Sequence, residues 1–166
     1  MEKLLPYNYL AISRAVRQLE ATYLVDAEVS NNGTKRIHIE KEGKQLWKEA
    51  EPLMQNPIKS VLYADEEVTQ GVVGGINALS HYSALNPERI HTKVIYEPKF
   101  RKSKEAGALP DLNILDGATR IEVWKYPPVI EKEDGFVDRL SLALSLRDDN
   151  DPRVEKEIEL MIDNLW

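Results

Sequence analysis

Between residues 8 and 54 the hydrophobic period changes twice, and that switch constrains the fold more than any other feature of the chain. Over 8–24, Ile12, Ala15, Val16 and Leu19 recur at helical spacing, with Ser13, Arg14, Arg17 and Gln18 on other faces. Two short β-compatible runs follow, 24–28 and 35–40, around Ser30-Asn31-Asn32-Gly33-Thr34. Asn-Gly marks a hairpin because both residues tolerate φ > 0. Over 43–54 the spacing returns to helical through Leu46, Trp47, Ala50 and Leu53, with Pro52 ending or bending the element. The predicted order is therefore helix, hairpin, helix.

Beyond Pro57 the pattern predicts a helix over 71–85, rich in small residues with Val72, Val73, Ile76, Leu79 and Tyr82 on one side. Strands are predicted over 92–97 and 120–126 from β-branched and aromatic content, with a polar, loop-like stretch over 99–113 between them. Residues 137–146 are apolar at both periods, and Asp138 as a cap favours helix. Asp151-Pro152 reads as an N-cap with proline at the first helical position, opening a stripe of Val154, Ile158, Met161, Ile162 and Leu165. The fold class is α+β: a helix-and-wing part over 1–61 and a small mixed α/β lobe over 62–166.

Charge supports that division. The chain carries a net charge of −6, yet the first 61 residues hold nine Lys/Arg against eight Asp/Glu, leaving 13 against 20 for the remainder. A near-neutral part with cations at particular positions is followed by an acidic part that does something else. No apolar run approaches the roughly 18 residues that a membrane helix needs, and the first residues carry no basic, apolar secretory pattern. A cytoplasmic protein with no membrane association is expected. There is no cysteine, which excludes disulfides and thiol chemistry.

A DNA-reading helix meets base edges in the major groove, while an adjoining wing rests on the backbone. Tyr7, Asn8, Tyr9, Ser13, Arg14 and Arg17 lie on or before the first turns of the predicted helix, and Lys35 and Arg36 follow the hairpin turn. Arginine pairs with guanine, asparagine with adenine, and serine, tyrosine or lysine with phosphate. These eight are the candidate contacts to double-stranded operator DNA. The alternative for the same residues is a solvated helix face and an ordinary surface hairpin.

Ser13-Arg14-Ala15-Val16-Arg17-Gln18-Leu19-Glu20, Tyr23-Leu24-Val25, Lys35-Arg36-Ile37-His38-Ile39 and Glu42-Gly43-Lys44-Gln45-Leu46 together resemble the MarR-type winged helix. The resemblance implies a transcriptional regulator whose recognition helix and β-wing lie here and whose two preceding helices would stand before Met1, making 1–61 an N-terminally incomplete winged helix. Tyr23 stands where that pattern has glycine, so the turn from helix to strand is expected to be made differently.

The segment from Gly75 through Pro87, with Ile121-Glu122-Val123-Trp124-Lys125-Tyr126 and Val137-Asp138-Arg139-Leu140-Ser141-Leu142, resembles the C-terminal lobe of AbiEi-family antitoxins. That resemblance implies an autoregulating antitoxin of a type IV toxin-antitoxin system, with a nucleotidyltransferase-like toxin as partner and a homo-oligomer as an option.

Enzymatic patterns are weak, and no catalytic residue, cofactor or metal is assigned. Asp111 with Glu122 and Lys125 invites comparison with a metal-dependent nuclease, but residues three apart on a strand face opposite ways. Asp148-Asp149-Asn150-Asp151 lacks the glycine of a calcium loop, and Gly71-Val72-Val73-Gly74-Gly75 lacks the lysine of a phosphate loop, which leaves close helix packing as the use of those glycines. His38, His81 and His91 stand at no ligand spacing, and Ser80, Ser83 and Ser141 have no adjacent base. Trp47 and Trp124 are expected in packing, with Trp166 left more exposed. The competing readings are a protein-interaction module without DNA binding and a degenerate nuclease.

Overall fold

The computed structural model describes residues 8–31, 33–129 and 135–166. The protein is mixed α+β and divides into two compact units, Met1–Met54 and Gln55–Trp166. The sequence pattern put the division at 61/62; it falls earlier because residues 58–61 belong to a strand of the second unit's sheet.

In the first unit, helix α1 (Tyr9–Ala21) begins where the Asn8 side chain accepts a hydrogen bond from the Ala11 N–H at 2.9 Å, which supplies one of the four donors that a helix start leaves unpaired. It ends in a Schellman turn: the Tyr23 N–H donates to the Glu20 carbonyl and the Leu24 N–H to the Leu19 carbonyl, at 3.1 and 3.2 Å. That turn requires a left-handed residue, and Tyr23 occupies it with φ 57°. The expectation of a different turn is therefore corrected. The glycine-type turn is kept, and tyrosine takes the steric cost of roughly 1–2 kcal/mol that a Cβ adds in this conformation.

Strands β1 (Asp26–Val29) and β2 (Lys35–His38) pair antiparallel, Asp26 opposite His38 and Val29 opposite Lys35. Gly33 at φ 79° closes the turn. Helix α2 (Gly43–Ala50) passes into a 3-10 turn over Glu51–Leu53 in which Pro52 stands among the first residues, as its lack of an N–H dictates. Leu24, Val25 and Ala50 form the buried cluster, with Ile37 and Leu46 packed against it.

The second unit is built on a five-stranded sheet ordered β4-β5-β7-β3-β6, comprising β3 (Ile58–Ala64), β4 (Val72–Val73), β5 (His91–Tyr96), β6 (Leu112–Asn113) and β7 (Thr119–Trp124). Among these five strands β5 and β7 pair parallel and the other pairs run antiparallel. One face carries Ala64, Ile95, Ile121 and Val123 with Val68, covered by Phe100 of α4 (Glu97–Glu105) and by Leu109. Alternation turns Thr92, Val94, Arg120, Glu122 and Trp124 to the other face. Helix α3 (Gly75–Tyr82) lies on that side, where the Asn77 amide oxygen accepts from the buried Thr92 N–H. Helices α5 (Arg139–Leu146) and α6 (Pro152–Asp163) complete the layer. Asp138 accepts from the Ser141 N–H and Asp151 from the Arg153 N–H, so both expected N-caps form.

Three expectations for this unit are corrected. Residues 71–85 are not one helix: Val72–Val73 pair with β5 and the helix spans only Gly75–Tyr82. Gly74 and Gly75 serve close approach to a strand instead of to a helix, since a Cβ on Gly74 would lie 2.4 Å from Val94 Cγ2 and one on Gly75 2.9 Å from Thr92 Oγ1. The stretch 99–113 is not a loop throughout, because it contains most of α4 and all of β6. Strand β3, which the sequence pattern did not single out, lies between β7 and β6. Trp124 is fully buried and Trp166 is 55% exposed. No helix among the described residues is long and apolar enough to cross a membrane.

Candidate nucleic-acid interface

Helix α1 buries Val16 and turns Leu10, Arg14 and Arg17 outward. Those three stand at i, i+4 and i+7 and so form one exposed stripe. Neither arginine has an ion-pair partner among the described residues. Tyr9, the first helical residue, is exposed, and Ser13 is half-buried beside it. Asn8 stands at the same end, but its amide oxygen is committed to capping. Tyr7 lies outside the described residues.

The hairpin separates the two cations that follow its turn. Successive strand residues point to opposite faces. Ile37 packs into the core against Leu24, Val25 and Ala50, which places Lys35 on the same, helix-facing side, where its Nζ pairs with Glu20 at 3.1 Å. Arg36 shares the outward face with Asp26, Glu28 and His38, and Glu28 is its direct cross-strand neighbour. His38 Nε2 lies 3.7 Å from Glu28 Oε2. The outward face of the hairpin is therefore of mixed charge, and the uncompensated cations of this unit's predicted set are concentrated on α1.

Two polar groupings in the second unit escaped the sequence pattern. Helix α4 presents Lys99, Arg101, Lys102 and Lys104 to solvent, a run visible in the sequence but without the apolar period that marks a helix. Glu97 in its first turn is held below the ordinary carboxylate range by hydrogen bonds from Lys59 and then Arg101. The second grouping is buried. Glu122 accepts from Trp124 Nε1 at 3.1 Å and lies 3.2 Å from Arg120 Nη2, and burial, its main influence, pushes its carboxyl above the ordinary range against the opposing effects of Arg120 and Trp124. Its register neighbour Val94 and the adjacent Thr92–Arg120 pair complete this part of the sheet.

Glu122, Lys125 and Asp111 do not converge. Glu122 is enclosed, Lys125 stands beyond β7 with its Nζ donating to the Asn56 carbonyl, and Asp111 is exposed. Among the described residues no group of three or more His, Asp or Glu side chains is placed to hold a metal ion.

No family model matches the chain, and no curated protein or solved structure matches it.

Proposed function

We propose that the first unit binds double-stranded DNA as the recognition helix and wing of a winged-helix transcriptional regulator of MarR type. The observation that carries this reading is the outward stripe of Arg14 and Arg17 on α1, two guanidinium groups one turn apart with no acidic partner among the described residues. Guanidinium groups so presented suit the bidentate acceptors of guanine in the major groove. Tyr9 and Ser13 stand toward the same end of the helix, within reach of flanking phosphates. Lys35 takes a different part here: it braces the hairpin to α1 through Glu20, and Arg36 is the wing cation that remains for phosphate.

The test is fluorescence anisotropy of the full chain on duplex DNA from the region upstream of its own gene, titrated in salt. Arg14→Ala and Arg17→Ala are each expected to weaken binding by about 1–3 kcal/mol and to relax discrimination between sequences. Arg36→Ala is expected to weaken all duplexes alike and to lower the salt slope by about 0.9. Unchanged affinity in both α1 variants would overturn the reading.

A further inference from the structure

Strand β3 is paired along its whole length on one side only. Toward β7 its partners run from Ile58 to Ala64, whereas toward β6 only Tyr63 and Ala64 are paired. Among the described residues, 58–62 therefore form an open stretch of sheet edge. The gap arises because β6 is two residues long: the chain turns off the edge at Ile114, which a longer β6 would set opposite Leu62. The Asn113 side chain makes that turn. Its Oδ1 accepts from the Leu115 and Asp116 N–H groups at 2.8 and 3.2 Å, and its Nδ2 donates to the Asp116 carbonyl at 2.9 Å, local bonds that a short amide side chain offers the backbone in place of a strand ladder. Gly117, with no room for a Cβ beside the Ala64 backbone, follows directly.

A bulge and a lysine are two common means of blunting an open edge. Here the register with β7 shifts between Ile58 and Ser60, and Lys59 is drawn off to Glu97 of α4. Beyond them Ser60, Val61 and Leu62 continue in regular register with β7, and none of the three is charged. Where the gap meets β6 stand two aliphatic side chains, Ile114 and Leu115, exposed by 76% and 81%. The Asn113 bonds fix their backbone, so a partner that packs on them meets little ordering cost.

An open edge offers N–H and C=O groups at the strand period, and only another extended polypeptide matches that spacing. We infer that residues 58–62 of β3 take up an extended segment of a partner protein as an added strand in line with β6, with Ile114 and Leu115 packing against its apolar side chains. The inference concerns the second unit and stands apart from the DNA-binding reading of α1. A second copy of the chain fits the same edge less well. Antiparallel self-pairing centred on Ser60 sets Pro57 where the other copy's Asn113 already lies beside Tyr63, and Pro57 is itself kept in line by the Lys125 N–H. The face-matched register that relieves this overlap sets Lys59 opposite Lys59, a destabilising like-charge pair.

The experiment follows amide hydrogen exchange of the full chain with a peptide of about eight residues, alternating valine and threonine and closed by lysines, a typical strand length. The control is the same peptide N-methylated at every valine and threonine, which removes its backbone donors. At ten times its Kd the parent peptide is expected to slow exchange about tenfold at those amides of 58–62 that do not bond β7, and the N-methylated peptide to have no effect. Ile114→Ser/Leu115→Ser replaces exposed side chains and is expected to weaken the parent peptide about tenfold while the thermal melt stays unchanged. No slowing over 58–62 at about 1 mM peptide, or equal slowing by both peptides, would overturn the inference. Slowing without peptide that grows with protein concentration would reassign the edge to a second copy and overturn it as well. Unchanged peptide affinity in the folded double variant would overturn the part given to Ile114 and Leu115.

Discussion

Arg120 Nη2 lies 3.2 Å from Glu122 Oε1, two residues along one strand, and the pair spans the boundary between solvent and core: the arginine side chain is 34% exposed and the glutamate 1%. No hydrogen bond of good geometry forms between them, and Glu122 Oε1, Arg120 Nε and the neighbouring Thr92 Oγ1 all lie buried without a hydrogen-bond partner. The Glu122 carboxylate thus has the Trp124 Nε1 hydrogen bond on one oxygen and, on the other, only the charge of a group that water also reaches.

That asymmetry makes stability depend on pH with a definite sign. The fold raises the Glu122 pKa above its ordinary value of 4.5, so the native chain holds this proton more tightly than the unfolded chain. The associated stabilisation is fully present below 4.5 and is lost as pH rises through the raised value. Glu122→Gln removes the titration and keeps an acceptor for Trp124 Nε1. Urea midpoints measured between about pH 5 and pH 8 are expected to fall less in the variant than in the parent chain. Parallel pH profiles would show that Arg120 compensates the carboxylate fully.

Tyr23 and Gly107 occupy the same position of the same helix-ending turn, at φ 57° and φ 64°. Tyr23 is 87% exposed, so its ring adds little packing to offset the strain. Tyr23→Gly is expected to stabilise the first unit by about 1 kcal/mol, and Gly107→Ala, with open space around its Cβ, to destabilise the second by a similar amount. Differential scanning calorimetry reads both. A loss of stability in Tyr23→Gly would mean that the tyrosine ring makes a stabilising contact.

Asn77 joins α3 to the sheet and to the following loop, donating to the Glu88 carbonyl at 2.9 Å and accepting from the Thr92 N–H at 3.1 Å. Asn77→Ala leaves two backbone groups without partners, one of them buried, and is expected to cost about 2–4 kcal/mol in chemical denaturation. Asn77→Asp keeps the acceptor and should lie between the two.

Gly117 is required by space and not by backbone conformation. A Cβ there would lie 2.4 Å from the Ala64 carbonyl oxygen and 2.7 Å from its carbon, and neither can move without disturbing the end of β3. Gly117→Ala is expected to destabilise by about 1–3 kcal/mol. Its melting temperature, set beside that of Gly107→Ala, separates a clash from conformational strain.

Much of the local structure was legible because it depends on neighbours along the chain. Asp138 and Asp151 as caps, Gly33 in the hairpin turn and Pro52 in the 3-10 turn each act within about four residues. The α1 arginines belong to the same class, since helical spacing alone places them on a stripe away from Val16. What stayed hidden depends on partners far along the chain. Strand β3 was not singled out, yet β7 and β6 pair with it on both sides. Helix α4 lacks a periodic apolar face and is anchored by Phe100 against residues of β5 and β7.

The eight predicted contacts show the same division. The sequence determined that Arg14 and Arg17 share a helix, that a hairpin follows, and that Lys35 and Arg36 flank its turn, because helical and strand periods are short-range properties. Tertiary structure decided that Lys35 turns inward to Glu20 while Arg36 faces outward beside Glu28. It also decided that a glutamate on β7 is enclosed. Burial and pairing of charge depend on which distant segments close over a residue, and a hydrophobic period carries no record of that.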